Sequence, residues 1–233
     1  MTNLPRPCLM LVTEPSPRLP QIAGEAVGGG VNVVHLRDKR AAAHGLKVTF
    51  KGLGQSLRTG TIVVVNADWQ RAVGFGARHI HLPELSAPVG VIRHHLAAGA
   101  LVGKSAHSVE AALKAASQGA DYIIAGTIFA SQSHPDIEPA GLDFLREVCG
   151  AVSIPVLAIG GVTLDNLAGC IEAGAAGVAV LSPIMRAADP KSVAQQYRAA
   201  LDAAWEERTH PVAPPINPRD DPGATAPDPE AEG

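Results

Sequence analysis

Cysteine is nearly absent: Cys8, Cys149 and Cys170 are the three in a chain of 233 residues. They are odd in number and far apart, which fits neither a disulfide framework nor a zinc site, so they read as reduced core residues. Aromatic residues make up 3% of the chain and the formal charge is −3. A nucleic-acid surface needs a basic excess to displace counterions from phosphates, so no such partner is expected. No apolar run approaches the roughly 20 residues that span a bilayer, and Met1–Pro7 has no extended apolar region before the first strand-like run. The expectation is a cytoplasmic protein with no membrane partner.

What is abundant is apolar residues, 46% of the total, and glycine, 24 residues. That content suffices for one substantial core. Short β-rich runs fall near residues 8–13, 31–36, 61–65, 78–82, 101–105, 121–126, 154–159 and 176–181. Ala-rich segments with helical spacing separate them, so βα units repeat and the sheet is predicted to be parallel. The fold class predicted is α/β, a TIM (β/α)8 barrel over residues 1–207. Ser108 is a predicted N-cap, with Val109, Ala112, Leu113 and Ala116 as the buried stripe of its helix and Gly119 as its end. Thr163 and Gly174 are predicted to bracket a later helix. Asp189-Pro190 reads as the cap and first residue of the last one, whose apolar face holds Val193, Tyr197 and Leu201. Beyond it, seven of the 19 prolines follow His210 with no aromatic residue among them. Residues 208–233 are therefore expected to form a disordered tail, which cannot bury enough apolar surface to offset its ordering entropy.

Candidate functional residues follow from strand ends. Val156-Leu157-Ala158-Ile159 runs into Gly160-Gly161, and one βα unit later Gly177–Leu181 runs into Ser182. Paired glycines let main-chain N–H groups approach an anion that a Cβ would hold away, and these are the seventh and eighth strands, where a parallel barrel places its phosphate site. His35, Arg37 and Lys39 share one parity at the end of the second strand, a cationic row at the mouth, while Val34 and Leu36 face the helices. Ser105 and His107 share parity at the end of the fifth strand, and Asn66 closes the third.

In this order His35-Leu36-Arg37-Asp38-Lys39, Asn66, His81-Leu82, Gly103–Ser108, Gly126-Thr127-Ile128-Phe129, Gly141-Leu142, Ala158–Thr163 and Gly177–Ser182 resemble the thiamine phosphate synthase/TenI superfamily, from about Leu11 to Pro190. The resemblance implies a barrel that binds a thiazole phosphate near Gly160, Gly161 and Ser182. Two activities are implied. The synthase joins the pyrimidine methylene to the thiazole nitrogen and expels diphosphate, whose charge is met by magnesium on carboxylates together with basic and hydroxyl side chains. The tautomerase of the TenI branch moves a proton and needs an acid/base group but no diphosphate site.

The chain departs from both patterns. Where the synthase has Asn-Asp it has Asn66-Ala67, and the acid expected after the His-Leu of the fourth strand falls at Ser86. Asp68 and Glu84 are nearby substitutes by sequence only. Ser131 and Ser133 stand for the hydroxyl pair of the sixth loop, and His134 for its lysine. The catalytic histidine of the TenI Gly-x-x-Phe motif corresponds to Thr127. With both magnesium positions lost, the expectation is a TenI-like thiazole tautomerase without a cofactor. His134, His107 or Glu84 would carry the proton, His134 being preferred. The alternatives are the magnesium-dependent synthase and a non-catalytic thiazole-phosphate-binding regulatory protein. A homodimer is the expected assembly.

Overall fold

The computed structural model describes residues 3–38, 43–66, 69–131 and 136–210, apart from the side chains of 43 and 44. Eight parallel strands close in sequence order into one barrel. They are β1 (Cys8–Val12), β2 (Val33–Arg37), β3 (Ile62–Asn66), β4 (His79–Leu82), β5 (Val102–Ala106), β6 (Tyr122–Ala125), β7 (Val156–Ile159) and β8 (Gly177–Val180). The helices that carry the chain back between them are α1 (Leu19–Gly28), α2 (Ala43–Ser56), α3 (Trp69–Gly74), α4 (Val89–Arg93), α5 (Val109–Ser117), α6 (Gly141–Ala151) and α7 (Leu167–Glu172), followed by the short α8 (Ser182–Met185) and the long α9 (Pro190–Thr209). The predicted TIM barrel is what forms. Among the described residues, no helix is long and apolar enough to cross a membrane.

Alternation along each strand builds two cores. Leu9, Leu11, Val34, Leu36, Val65, Ile80 and Ile123 face outward into the layer shared with the helices. Cys8, Met10, Val12, Val33, Val64, Tyr122, Ile124 and Leu157 face inward and fill the barrel. Since a one-residue slip would turn every side chain to the other face, the parity of polar residues at the strand ends is set by these apolar ones. The β2–β3 register pairs His35 with Val64 and Arg37 with Asn66. Asn32 ties the entry of β2 to β1: its Oδ1 accepts from Leu9 N (3.0 Å) and its Nδ2 donates to Pro7 O (3.2 Å).

Ser108 caps α5 as expected, its Oγ accepting from Ala111 N, and Asp189 caps α9 through Ser192 N. Two expectations are corrected. Ala112 is buried as expected, but Leu113 is 47% exposed, Val109 and Ala116 are partly buried, and Ala115 is buried instead, since the small residues let α5 lie close against β5 and β6. Helix α7 starts at Leu167 rather than beside Thr163, because Asn166 accepts from Thr163 N (2.8 Å) and donates to Gly161 O (3.0 Å), holding that segment as a loop. Helix α9 runs to Thr209, two residues into the segment 208–233 expected as tail, and residues 211–233 lie outside the described residues.

One inward position has no side chain for a reason. Gly103 pairs with Tyr122 across β5 and β6, and a Cβ there would sit 2.0 Å from the Tyr122 ring. The fully buried ring fills that space. Gly103→Ala is expected to cost about 3 kcal/mol by overpacking, measured by urea unfolding; unchanged stability would show that the ring has room to move.

Candidate active site

A cavity of about 730 Å³ opens at the C-terminal end of the barrel, within the roughly 300–1,000 Å³ range of small-molecule sites. Of the residues predicted from sequence, His35, Arg37, Asn66, Glu84, Ser105, His107, Thr127, Ser131, Gly160 and Gly161 line it, as does Ser182. Lys39, Asp68, Ser133 and His134 lie outside the described residues.

The floor is made of imidazoles. His81 Nε2 is 2.9 Å from Ser105 Oγ, and its Nδ1 is 3.2 Å from Tyr122 Oη. Both partners are hydroxyls that can donate or accept, so either neutral tautomer is satisfied. Burial holds His81 well below the usual imidazole range, with His35 and Lys104 adding to the effect. His35 packs edge-on to His81 with ring centroids 4.8 Å apart. It is 3% exposed, and among the described residues neither of its ring nitrogens has a hydrogen-bond partner. Burial, and then the Arg37 charge, push it down to about 3, so this ring is neutral at pH 7. A buried polar ring with both nitrogens unsatisfied, beside a cavity, is placed to meet polar atoms of a ligand.

Cationic groups stand above this floor. Arg37 leaves the end of β2 with its N–H donated to Thr13 Oγ1 at 3.0 Å. Arg186, after α8, holds Glu14 at 3.2 and 3.3 Å through Nε and Nη2. Across the mouth, Gly160 (φ +96°) and Gly161 (φ +62°) turn the chain out of β7 against Thr127 and Ala130. The positive φ angles are those in which glycine alone is unstrained. On the β4–β5 side, Glu84 Oε2 accepts from both Nδ1 (2.6 Å) and the backbone N (2.7 Å) of His107.

His81, Tyr122 and Arg186 build the site without standing among the strand-end candidates. Alternation from His79 assigns His81 the inward face; Tyr122 is found only when the β5–β6 register sets it opposite Gly103. Arg186 follows a one-turn helix that no periodicity reveals.

The side chains at the two positions that the resemblance implies do not suit a magnesium ion. The methyl side chain of the alanine at position 67 offers no ligand atom. Ser86 donates its hydroxyl to Pro83 O (2.6 Å), and Lys104 Nζ lies against Ser86 O (3.3 Å), Ser86 Oγ (3.4 Å) and Ala87 O (3.1 Å). The Glu84 carboxylate is turned onto His107. Among the described residues, no three His, Cys, Asp or Glu side chains converge as metal ligands.

Comparison with known proteins adds a family. The family described as "Thiamine monophosphate synthase" matches residues 9–184. The chain is 38% identical over 188 residues to the thiamine-phosphate synthase of Methanoculleus marisnigri, covering 80% of this chain and 89% of the relative. It is 39% identical over 189 residues to that of Anaeromyxobacter dehalogenans, covering 80% and 84%. A solved structure described as thiamine phosphate pyrophosphorylase from Pyrococcus furiosus superposes with a TM-score of 0.75 at 30% identity, covering 84% of this chain and 96% of that one.

These relatives overturn the expected tautomerase. That expectation rested on two absent carboxylates, whereas the likeness to synthases extends over about four-fifths of the chain. The chemistry agrees, because the TenI acid/base position holds Thr127, whose hydroxyl does not titrate near neutral pH.

Proposed function

Because the chain belongs to the thiamine monophosphate synthase family, we propose that it is a transferase that makes thiamine phosphate. The nitrogen lone pair of a hydroxyethylthiazole phosphate attacks the methylene carbon of a hydroxymethylpyrimidine diphosphate. A C–N bond forms, the C–O bond to diphosphate breaks, and the electron pair leaves with the diphosphate.

One observation carries this reading: a single cavity joins the glycine turn after β7 to the polar floor of β2–β5. That gives an anionic ester and a polar heterocycle neighbouring seats, and holding two reactants side by side removes much of the entropic barrier. The ester phosphate is assigned to the main chain around Gly160, Gly161 and Ser182. The heterocycle with amino and ring-nitrogen edges is assigned to His35, Asn66 and Ser105. Arg37 is assigned to the diphosphate, and Thr127 and Ser131 supply hydroxyl donors along the sixth loop. No step here runs through a metal held by the protein. Catalysis consists of positioning and of donors aimed at developing negative charge.

The test is a coupling assay with both substrates and magnesium in the buffer, with thiamine phosphate detected by chromatography. Wild type is expected to turn over. Arg37→Ala is expected to lose about 10²-fold in kcat/KM, the usual scale for one preorganised donor to developing charge. Absence of product from the folded wild-type protein would sink the transferase reading.

A further inference from the structure

We propose that Glu84 and His107 form an oriented donor pair for the departing diphosphate, with Glu84 two residues before Ser86, a position where the resemblance implies a metal-ligating carboxylate. This rests on the transferase reading above. Neighbouring parallel strands bring the two together: β4 and β5 pair Leu82 with Lys104, so the loops that follow leave the barrel side by side. Both residues line the cavity.

The geometry is more specific than a surface ion pair. One carboxylate oxygen, Oε2, takes the His107 backbone N–H at 2.7 Å and Nδ1 at 2.6 Å. Two donors from one residue fix the ring relative to its own backbone and commit the Nδ1 proton to Glu84. Nε2 is then the ring nitrogen left for the cavity. A carboxylate that orients an imidazole in this way selects the tautomer and offsets positive charge on the ring. The side chain of Glu84 is 27% exposed and that of His107 59%, so solvent and ligand reach the ring while the carboxylate lies beneath it.

The neighbouring position shows why a metal is not the better reading of this carboxylate. Ser86 and Ala87 present their oxygens to Lys104 Nζ, and Lys104 is 7% exposed. The Lys104 ammonium already donates to the oxygen acceptors beside Glu84, and a divalent cation there would meet like charge. In the proposed step the ring acts as the imidazolium, with Nδ1–H held by Glu84 and Nε2–H turned to the cavity: the C–O bond breaks, its electron pair passes to the leaving oxygen, and Nε2–H donates to that oxygen. If the proton transfers, the ring regains one from solvent after diphosphate departs.

The test uses inorganic diphosphate and Mn²⁺ as probes besides turnover. His107→Ala keeps the backbone N–H bond to Glu84 but removes the donor. It is expected to lower kcat by about 10²-fold with KM for the thiazole phosphate unchanged, the usual scale of one acid/base group. Added imidazole is expected to restore part of that loss. Glu84→Gln, a positioning change, is expected to lower kcat by about tenfold without moving that KM. Calorimetry is expected to show weaker binding of inorganic diphosphate by both variants, and Mn²⁺ titration of free wild type to show no saturable site. Unchanged kcat and diphosphate affinity in His107→Ala would overturn the pair. So would a saturable Mn²⁺ site that Glu84→Gln abolishes, since Glu84 would then be a metal ligand. Loss of coupling in wild type bears on the transferase reading, whereas diphosphate binding tests the pair without turnover.

Discussion

Gly161→Ala is expected to destroy thiazole-phosphate binding and to destabilise the barrel by about 3 kcal/mol, the scale of backbone strain plus overpacking. Gly161 has φ +62°, and a Cβ there would lie 2.3 Å from Ala130 O and 2.8 Å from Phe129. Relief would require the β6 loop to retreat from the cavity that it helps to line. Gly160, at φ +96°, is under the same constraint, with Thr127 Cγ2 at 2.4 Å from an added Cβ. Gly119 is the internal control. It also has positive φ (+88°), but nothing lies within 4 Å of its Cβ position. Gly119→Ala should therefore show only the conformational cost, about 1 kcal/mol, with ligand affinity intact. Calorimetric titration with thiazole phosphate, paired with thermal unfolding, separates the two variants. Wild-type affinity in Gly161→Ala would remove this turn from the binding site.

The second large effect is on acid stability. His35 is held down to about 3 and His81 well below its ordinary value, both chiefly by burial. A histidine of depressed folded-state pKa binds its proton more readily when unfolded. The stability it contributes is complete above the unfolded value near 6.5 and is lost as pH falls toward the folded one. Each such ring adds a slope of about 1.4 kcal/mol per pH unit across that window. Urea unfolding followed from pH 7 down to pH 4 should show a steep decline. His35→Gln should make it shallower by the share of one ring, because the amide does not titrate while His81 still does. A decline of equal slope in that variant would show that His35 does not contribute to acid unfolding.

Much of this site is legible from strand ends alone. Alternation in Val33–Arg37 puts His35 and Arg37 on the inner face, and the glycine pair after Ile159 marks the turn at the mouth. These features are local: a two-residue period and a run of apolar neighbours suffice. Leu113 stands exposed where spacing predicts it buried, because a helical stripe does not say how closely its helix approaches the sheet. Two missing side chains, on which the tautomerase expectation rests, are a small sample against a likeness spread over residues 9–184.

Eight βα units, their closure as a barrel, the capped ends of α5 and α9 and the inward parity of His35, Arg37 and Ser105 all follow from near-neighbour pattern, because hydrophobic period and turn chemistry act over a few residues. The seating of Tyr122 over Gly103, the His35–His81 contact, the turn of Glu84 onto His107 and the capture of Ser86 by Lys104 join residues from different strands or loops. Those depend on inter-strand register and on competition for space and hydrogen-bond partners within a closed barrel, which no local stretch of chain encodes.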